Sequence, residues 1–297
     1  MTERTALAET FEEHRPRLRA VAYRMLGSFS EADDAVQETW IKFDRTDVSD
    51  VRNLSSWLNT VAGRVCLDML RSRASRREDS LDDDRFRMPD PVVTGPGADP
   101  EESALLTDSV GIALMLVLQT LEPAERLAFV LHDLFAVPFD DIAEVLGRTS
   151  VSTRQLASRA RRRVDEATPE PADDPVLRHQ VAGAFFAASQ AGDFDALLAV
   201  LDPDVVARAD GGKLGQSTLR RGAREVASGA IFFSKLADSG VPVLVNGQPG
   251  AVGIINRQIA SVLAFTIRGG RITSLDILTD PERLVQLNLD WVIDSAD

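Results

Sequence analysis

The chain has 297 residues, of which 44% are hydrophobic and 27% are charged, and its formal net charge is -13. This composition is typical of a globular protein with two or three packed domains. The single cysteine, Cys66, excludes an intramolecular disulfide framework. No stretch reaches the roughly 18 apolar residues that a membrane span needs. We therefore expect a cytoplasmic protein that does not use a membrane.

The positive charges are concentrated in two segments, although the total charge is acidic. Residues 64–77 contain five Arg and one acidic residue, and residues 148–164 contain six Arg and no acidic residue. Residues 78–102 hold nine acidic residues against two Arg. Because Lys and Arg bind phosphate backbones, the two basic segments indicate a nucleic-acid partner. The acidic segment between them indicates a solvated linker.

Residues 1–78 are predicted to form a helical module. Val36, Trp40 and Phe43 stand at i, i+4 and i+7, which is one face of a helix, and they are expected in its core. The tetrapeptide at residues 30–33 has the form of a capping box, so this helix is expected from about Glu31 to Phe43. Residues 79–104, rich in Pro, Gly and Asp, are predicted to be the acidic linker.

A second helical module is predicted over residues 105–167. Phe139, Ile142, Ala143 and Leu146 form an i, i+3, i+4, i+7 face that stops at Gly147. An Arg-rich helix is expected from about residue 151. A helix, a short turn containing Gly and a basic helix, in this order, are typical of a helix-turn-helix.

After a second linker at residues 168–175, residues 176–297 are predicted to form an α+β domain. Two amphipathic helices come first, and β-rich runs follow, which together favour a cone-like domain with a curved antiparallel sheet. Gly269 and Gly270 join the last two runs, and they supply the positive φ that a two-residue hairpin turn needs.

Three blocks of sequence, at residues 22–43, 55–78 and 121–164, resemble conserved regions two and four of the sigma-70 family, in its extracytoplasmic-function group. The resemblance implies a factor that binds core RNA polymerase and promoter DNA. In the first block, AYRMLGSFSEADDAVQETWIKF, it implies that one helix face contacts the polymerase. The implied polymerase-binding residues are Asp33, Asp34, Gln37 and Glu38.

The other two blocks imply contacts with the two promoter elements. The second block resembles the helix that contacts the minus-ten element, with a base-capture pocket in the preceding loop at residues 45–53, and its implied DNA-binding residues are Arg64, Arg71, Arg73, Arg76 and Arg77. The third resembles region four, whose recognition helix reads the minus-thirty-five element in the major groove. Its implied contacts are Arg148, Ser152, Thr153, Arg154, Gln155, Ser158, Arg159 and Arg162.

The C-terminal domain resembles a SnoaL-like domain of the nuclear-transport-factor-2-like superfamily. The branch of sigma factors with this domain order carries three short motifs, W-L-P-E-P, D-G-G-G and N-P-D-K-L. Altered forms occur here at residues 87–91, 210–213 and 280–284, in the same order. The resemblance implies intramolecular regulation of the sigma modules. The implied regulatory contacts are Pro89, Asp90, Pro91, Asp210, Gly211, Gly212, Asp280, Pro281 and Leu284.

Two alternative functions remain open from the sequence. SnoaL-like cones often house isomerases or hydrolases, and His179 and Asp210 are the candidate acid–base residues. His179 is more typical of a surface histidine, and Asp210-Gly211-Gly212 of a turn, so no enzyme activity, cofactor or metal site is expected. The second alternative is a helix-turn-helix repressor that binds DNA without polymerase.

Overall fold

The computed structural model describes residues 3–48, 51, 53–78, 87–95, 111–167, 173–212, 215, 217–237 and 239–294, without the side chains of residues 3–6 and 76–78. The chain divides into two compact units. The helical unit comprises residues 1–83 and 114–169, and the C-terminal unit comprises residues 84–113 and 170–297. None of the helices in the described ranges is long and apolar enough to cross a bilayer.

The helical unit contains the two predicted helical modules. Its helices are α1 (Glu3–Leu26), α2 (Phe29–Asp44), α3 (Leu54–Glu78), α4 (Ile112–Thr120), α5 (Pro123–Phe129), a π-helical turn (Val130–Leu134), α6 (Phe139–Leu146) and α7 (Ser150–Ala167). Helix α4 starts in the C-terminal unit, because that unit extends to Ala113.

The first three helices pack around an aromatic core. Phe11 of α1 stacks on Phe43 of α2, with ring centroids 5.9 Å apart, and Trp40 packs edge-on against Phe11 at 5.1 Å. Helix α2 begins at Phe29, two residues before the position predicted from the capping box. The reason is Gly27, whose φ of 73° reverses the chain after α1 and leaves Ser28 at the start of α2.

The predicted helix-turn-helix is confirmed by α6, Gly147 and α7. Ile142 and Ala143 are the buried residues of α6. Gly147 adopts a left-handed conformation with φ 61°, which ends the helix as glycine commonly does. Helix α7 then begins at Ser150, and its buried stripe includes Leu156, Ala160 and Val164.

The C-terminal unit combines helices with a seven-stranded sheet. Its elements are β1 (Val93–Thr94), α8 (Pro175–Ala191), α9 (Phe194–Val200), β2 (Leu201–Asp210), β3 (Thr218–Arg221), α10 (Ala223–Ser234), β4 (Ser239–Val245), β5 (Gln248–Ile255), β6 (Gln258–Arg268), β7 (Arg271–Leu278), α11 (Pro281–Gln286) and α12 (Asp290–Asp294). The strand order is β1-β4-β5-β6-β7-β2-β3.

The sheet differs from the predicted antiparallel one in a single pairing. Strand β2 runs parallel to β7. The two strands are neighbours in the sheet but not in the chain, since β3 to β6 lie between them in sequence, so no direct hairpin joins them. The other pairings are antiparallel. The predicted hairpin joins β6 to β7, with Gly269 and Gly270 at φ 56° and 71°.

Both faces of the sheet are covered. Helices α8, α9 and α10 pack on one face, where Phe265 and Leu275 are buried. Val262 and Leu278 belong to a separate apolar cluster that includes α11 and α12. Because alternate residues of a strand point to opposite faces, this second cluster lies on the other side of the sheet.

Part of the predicted linker belongs to this second cluster. Met88 and Ile112 are 0% and 2% exposed, and β1 pairs antiparallel with the end of β4. A fully solvated linker was predicted from the acidic composition of residues 78–102. Residues 88–92 are buried instead, because their apolar side chains and prolines pack on the sheet.

Candidate functional sites

Helix α2 presents the four predicted polymerase-binding residues on one surface. Asp33, Asp34, Gln37 and Glu38 are all exposed, whereas the opposite face of α2 is buried against α1 and α3. Asp33 accepts a hydrogen bond from Arg19 Nε at 2.7 Å, and Glu38 pairs with Lys42 at 3.2 Å. The result is an ordered acidic and amide-bearing surface.

The arginines of α3 differ in their surroundings. Arg64 is exposed, and Arg71 pairs with Asp68 of the same helix at 3.7 Å. Arg73 bonds Glu31 at the start of α2. Arg76 and Arg77 lie in α3, and their side chains are outside the described ones.

A cleft of about 670 Å³ lies beside Arg64. One wall comes from the end of α2, the following loop and α3, and the other comes from α6. The lining includes Lys42, Arg45, Asn53, Ser56, Trp57, Arg64, Asp141 and Glu144. Ser56 Oγ donates a hydrogen bond to Asp141 Oδ2 at 2.7 Å and joins the two walls.

Helix α7 and the turn before it expose most of the residues predicted to contact the minus-thirty-five element. Exposed side chains are those of Arg148, Arg154, Gln155, Ser158, Arg159 and Arg162, and Ser152 is half-buried. Thr153 is the exception: it is 0% exposed, and its hydroxyl donates to Thr149 O at 3.1 Å. Because Thr153 lies on the buried stripe of α7, it supports the turn and does not present a group to DNA.

One buried carboxylate anchors helix α7, and it was missed from the sequence. Glu125 of α5 is 6% exposed and accepts hydrogen bonds from Arg159 Nε at 2.9 Å and Arg163 Nη1 at 3.1 Å. Arg161 pairs with Asp133 in the π-helical turn. The signal in the sequence was the spacing of Arg159 and Arg163, which are one helical turn apart and can therefore reach the same partner.

The three altered motifs meet at one cluster in the C-terminal unit. Asp210 Oδ2 accepts hydrogen bonds from Met88 N at 2.8 Å and Arg283 Nη1 at 2.6 Å. Arg283 Nε donates to Asp90 Oδ1 at 2.7 Å, and its Nη2 donates to Met88 O at 2.5 Å. Arg283, Asp90 and Asp210 are therefore the centre of this linker clamp, which we define as these residues with Met88.

The other predicted regulatory residues build the backbone around the clamp. Asp280 caps α11 by accepting from Glu282 N at 3.0 Å, Pro281 begins that helix, and Leu284 is 4% exposed in the apolar cluster. Gly212 has φ 69°, and a Cβ there would overlap the Asp280 carboxylate. Further contacts come from Pro89 and Pro91, which are both buried, and from Gly211, whose carbonyl accepts from Gly215 N.

Two residues that hold the linker segment, Arg283 of the clamp and Asn246 beside it, were missed from the sequence. Arg283 occupies the basic position of the N-P-D-K-L pattern, and this was the signal that could have found it. Asn246 has φ 49°, and it exchanges hydrogen bonds with Val92: Asn246 N donates to Val92 O at 2.7 Å, and Val92 N donates to Asn246 Oδ1 at 3.1 Å. The signal in the sequence for Asn246 was the Asn-Gly pair that it begins, which is typical of a tight hairpin turn.

The candidate acid–base residues have structural partners. His179 is exposed, and its Nδ1 lies 2.8 Å from the carbonyl oxygen of Pro175 on its own helix. Asp210 is held by the clamp. A second carboxylate, Asp276, is 0% exposed, and burial raises its pKa although Arg208 lies 3.1 Å away. These three residues belong to separate clusters and form no acid–base pair.

Comparison with known proteins identifies the helical modules. Residues 10–76 match the Sigma-70 region 2 family, and residues 112–164 match the Sigma-70, region 4 family. The probable ECF RNA polymerase sigma factor SigI of Mycobacterium tuberculosis is 35% identical over 291 residues, which cover 98% of this chain and 99% of that protein. The ECF RNA polymerase sigma factor SigJ of the same species is 37% identical over 291 residues, covering 92% of this chain and 91% of SigJ.

The fold is similar to that of one of these relatives, SigJ. The crystal structure of Mycobacterium tuberculosis SigJ has a TM-score of 0.73 and 33% identity, and it covers 93% of this chain and 97% of its own. The predicted order of two helical sigma modules followed by an α+β domain is thereby confirmed, and neither the isomerase nor the repressor alternative is favoured. Sigma factors direct core RNA polymerase to promoters and are not enzymes. The chain belongs to the extracytoplasmic-function group of the sigma-70 family.

Proposed function

We propose that this sigma factor binds core RNA polymerase through Asp33, Asp34, Gln37 and Glu38 of α2. The observation that carries the proposal is that all four side chains are exposed on a helix whose opposite face is buried. Carboxylates and amides on an ordered helix suit a basic or hydrogen-bonding partner surface, since such complementarity raises the rate and specificity of association.

Charge reversal on this surface tests the polymerase-binding role. The double variant Asp34→Arg/Gln37→Arg is expected to lose co-purification with core polymerase. The matched control is Glu13→Arg, an exposed acid on α1. Equal recovery of polymerase by the double variant and the control would contradict the assignment.

For promoter DNA, the proposal assigns the end of α3 to the minus-ten element and the exposed face of α7 to the minus-thirty-five element. Arg64, Arg71, Arg73, Arg76 and Arg77 serve the first element, and Arg148, Ser152, Arg154, Gln155, Ser158, Arg159 and Arg162 serve the second. The exposure of most of these side chains supports the assignment. Polar groups near the start of a recognition helix can reach base edges, while arginines along it bind phosphates.

The proposal assigns to the linker clamp an intramolecular regulatory role, in which it shortens the tether between the sigma modules. The ten residue steps from Glu78 to Met88 span at most about 35 Å, whereas the 34 steps from Glu78 to Ile112 could span about 120 Å. Met88 and Ile112 belong to one apolar cluster. Packed layers lie roughly 10 Å apart, so we take this as the separation of the two residues. A closed clamp therefore limits the distance from Glu78 to Ile112 to about 45 Å, a little more than a third of its free value.

This limit bears on promoter spacing. The two promoter elements are centred about 25 base pairs apart, or roughly 85 Å along straight DNA at about 3.4 Å per base pair. Opening the clamp releases the full length of the linker and so widens the range of separations that the modules can adopt. The C-terminal domain regulates the sigma modules by holding or releasing their connection.

Transcription by truncated and substituted forms tests the regulatory role. Deletion of the residues after Thr279 removes Arg283 and is expected to change promoter-specific transcription with core polymerase. The same direction of change is expected for Arg283→Ala, with Arg224→Ala as control, because Arg224 is an exposed arginine on α10. Unchanged activity of both clamp variants would refute the regulatory role.

The factor acts where polymerase and chromosome meet, in the cytoplasm, and it needs no cofactor or covalent chemistry of its own. Binding and positioning account for each proposed step. The exposed arginines and the polar face of α2 supply these interactions.

A further inference from the structure

Helix α7 carries one strongly exposed apolar side chain among its polar ones. Val151 in its first turn is 62% exposed, and no other large apolar side chain that the structure describes in the helical unit is more than half exposed. A single exposed valine is ordinary on a protein surface. Here its position matters, because α7 is the helix that the proposal above assigns to the minus-thirty-five element.

Val151 begins the row of α7 that points directly away from the core. A helix turns by about 100° per residue, so residues at i, i+4, i+7 and i+11 lie on one face. The exposed row with this spacing consists of Val151, Gln155, Ser158 and Arg162. The buried stripe of α7, with Leu156, Ala160 and Val164, lies on the opposite face. Val151 is therefore in the row that approaches the bases when α7 enters a major groove.

Hydrogen bonds within region four fix the first turn of α7. Thr149 Oγ1 accepts from Ser152 N at 3.2 Å and so caps the helix. Ser150 Oγ donates to the Asp140 carboxylate of α6. These bonds hold the turn that carries Val151 in one orientation, so its side chain is preorganised for a partner.

The apolar group that the major groove presents is the C5-methyl group of thymine. We propose that Val151 packs its γ-methyl groups against the C5-methyl group of a thymine in the minus-thirty-five element and thereby selects thymine at that position. The proposal rests on the assignment of α7 to this element. Gln155, one turn further along the same row, carries an amide that matches the hydrogen-bonding edge of adenine. The two neighbouring side chains together favour an A·T base pair.

This contact differs in kind from the phosphate contacts of the arginines on α7. It removes apolar surface from water and involves no charge, so it adds sequence selectivity without adding salt dependence. Burial of one methyl group changes a binding constant about fourfold. That factor sets the size of the effect that loss of the thymine methyl group should have.

A chemical double-mutant cycle with the holoenzyme tests the proposal. The probe is a fluorescein-labelled synthetic duplex with the promoter upstream of this protein's own gene, and anisotropy measures its binding to core polymerase that carries the full-length chain. Thymines of the minus-thirty-five element, on either strand, are replaced one at a time by deoxyuridine, which lacks only the C5-methyl group. The cytosines of the synthetic duplex are unmethylated, so thymine is the only source of that group.

At one thymine, the replacement should weaken binding by the wild type about fourfold. Val151→Ala should weaken binding to the unmodified duplex by a similar factor. Its response to the same deoxyuridine should be about 1.5-fold or less, because the contact is already lost. The matched control is Val176→Ala, the same change at a 60% exposed position in the first turn of α8, and it should keep the full response.

Two further measurements make the result specific. Val151→Ile retains the apolar contact and should keep the fourfold response, whereas Val151→Thr exchanges a methyl group for a hydroxyl and should respond about twofold or less. Val151→Thr replaces Val151→Ala if the latter has lost its helical circular dichroism. The slope of log K against log salt should be unchanged in Val151→Ala, while Arg162→Ala should reduce its magnitude by about 0.9.

The outcomes separate this proposal from the assignment of α7. If replacing the whole minus-thirty-five element weakens binding, but no thymine gives a larger deoxyuridine effect in the wild type than in Val151→Ala, the proposal is overturned and the assignment stands. An element without thymine on either strand would overturn the proposal equally, as would a salt slope in Val151→Ala that falls as far as in Arg162→Ala. Unchanged binding after replacement of the whole element would refute the assignment of α7 and this proposal with it.

Discussion

Substitution of Arg283 by Ala should release the linker segment from the C-terminal domain. The Arg283 side chain is 11% exposed and donates to Asp90, Asp210 and Met88 O at distances of 2.7, 2.6 and 2.5 Å. Removing one partner of a buried ion pair costs about 3–5 kcal/mol. Asp210 keeps its bonds from Met88 N and Gly212 N, so the lower value of about 3 kcal/mol applies.

Hydrogen exchange measures this release locally. Since about 1.4 kcal/mol corresponds to a factor of ten, a loss of about 3 kcal/mol raises the open fraction of the segment roughly 100-fold. The amides that report it at residues 87–95 are Met88 N and Val92 N, which donate to Asp210 and Asn246 of the C-terminal domain. Mass spectrometry of peptides covering residues 87–95 should show exchange accelerated by about this factor.

Two further variants make the result specific. Arg283→Lys keeps the charge but loses the forked geometry, so exchange should rise about tenfold. Arg224→Ala, on the exposed surface of α10, should leave these peptides unchanged. Unaltered exchange at residues 87–95 in Arg283→Ala would refute the clamp. Peptides from β5 and β6 serve as the folding control, because their exchange should stay unaltered in a folded variant.

Three other predictions concern single buried groups. Gly63→Val should lower the stability of the helical unit by about 1–3 kcal/mol, because the added side chain overpacks against Leu127 and Leu131. Circular dichroism should show a lower melting temperature. An unchanged melting temperature would contradict the close contact between Gly63 and these leucines. The Cys66 thiol should resist alkylation in the native protein and react after denaturation, because burial raises its pKa; rapid native labelling would contradict this. Burial also raises the pKa of Asp276, so the folded state binds a proton more tightly than the unfolded state does. Lowering the pH through that raised pKa should therefore stabilise the wild type relative to Asp276→Asn, as measured by urea unfolding. A stability difference that does not depend on pH would contradict this prediction.

Sequence periodicity predicted the helices and the helix-turn-helix well, for a local physical reason. The apolar face of α6 and the left-handed Gly147 are both specified within about ten residues of chain. The Gly269-Gly270 hairpin is equally local, because two positive φ values select the turn. Thr153 was misassigned because a polar side chain on α7 was expected to face DNA, while helical geometry turns it inward.

The linker clamp could not be assembled from the sequence alone. Strand β1 has two residues, too few for an alternating pattern, and its partner β4 lies about 150 residues later in the chain. The contacts of Arg283 with Asp90 and Asp210 also join distant segments. Motif resemblance marked most of these positions, but only the tertiary structure brings Met88, Asp210 and Arg283 together.

Run-off transcription with core RNA polymerase tests the central claim most directly. The template carries the region upstream of this protein's own gene, and the reactions contain core enzyme alone, core enzyme with the full-length chain, or core enzyme with the chain truncated after Thr279. The account predicts a transcript with a defined start that appears only when one of the two protein forms is added. Absence of a specific transcript with both forms would contradict the assignment as a promoter-directing sigma factor.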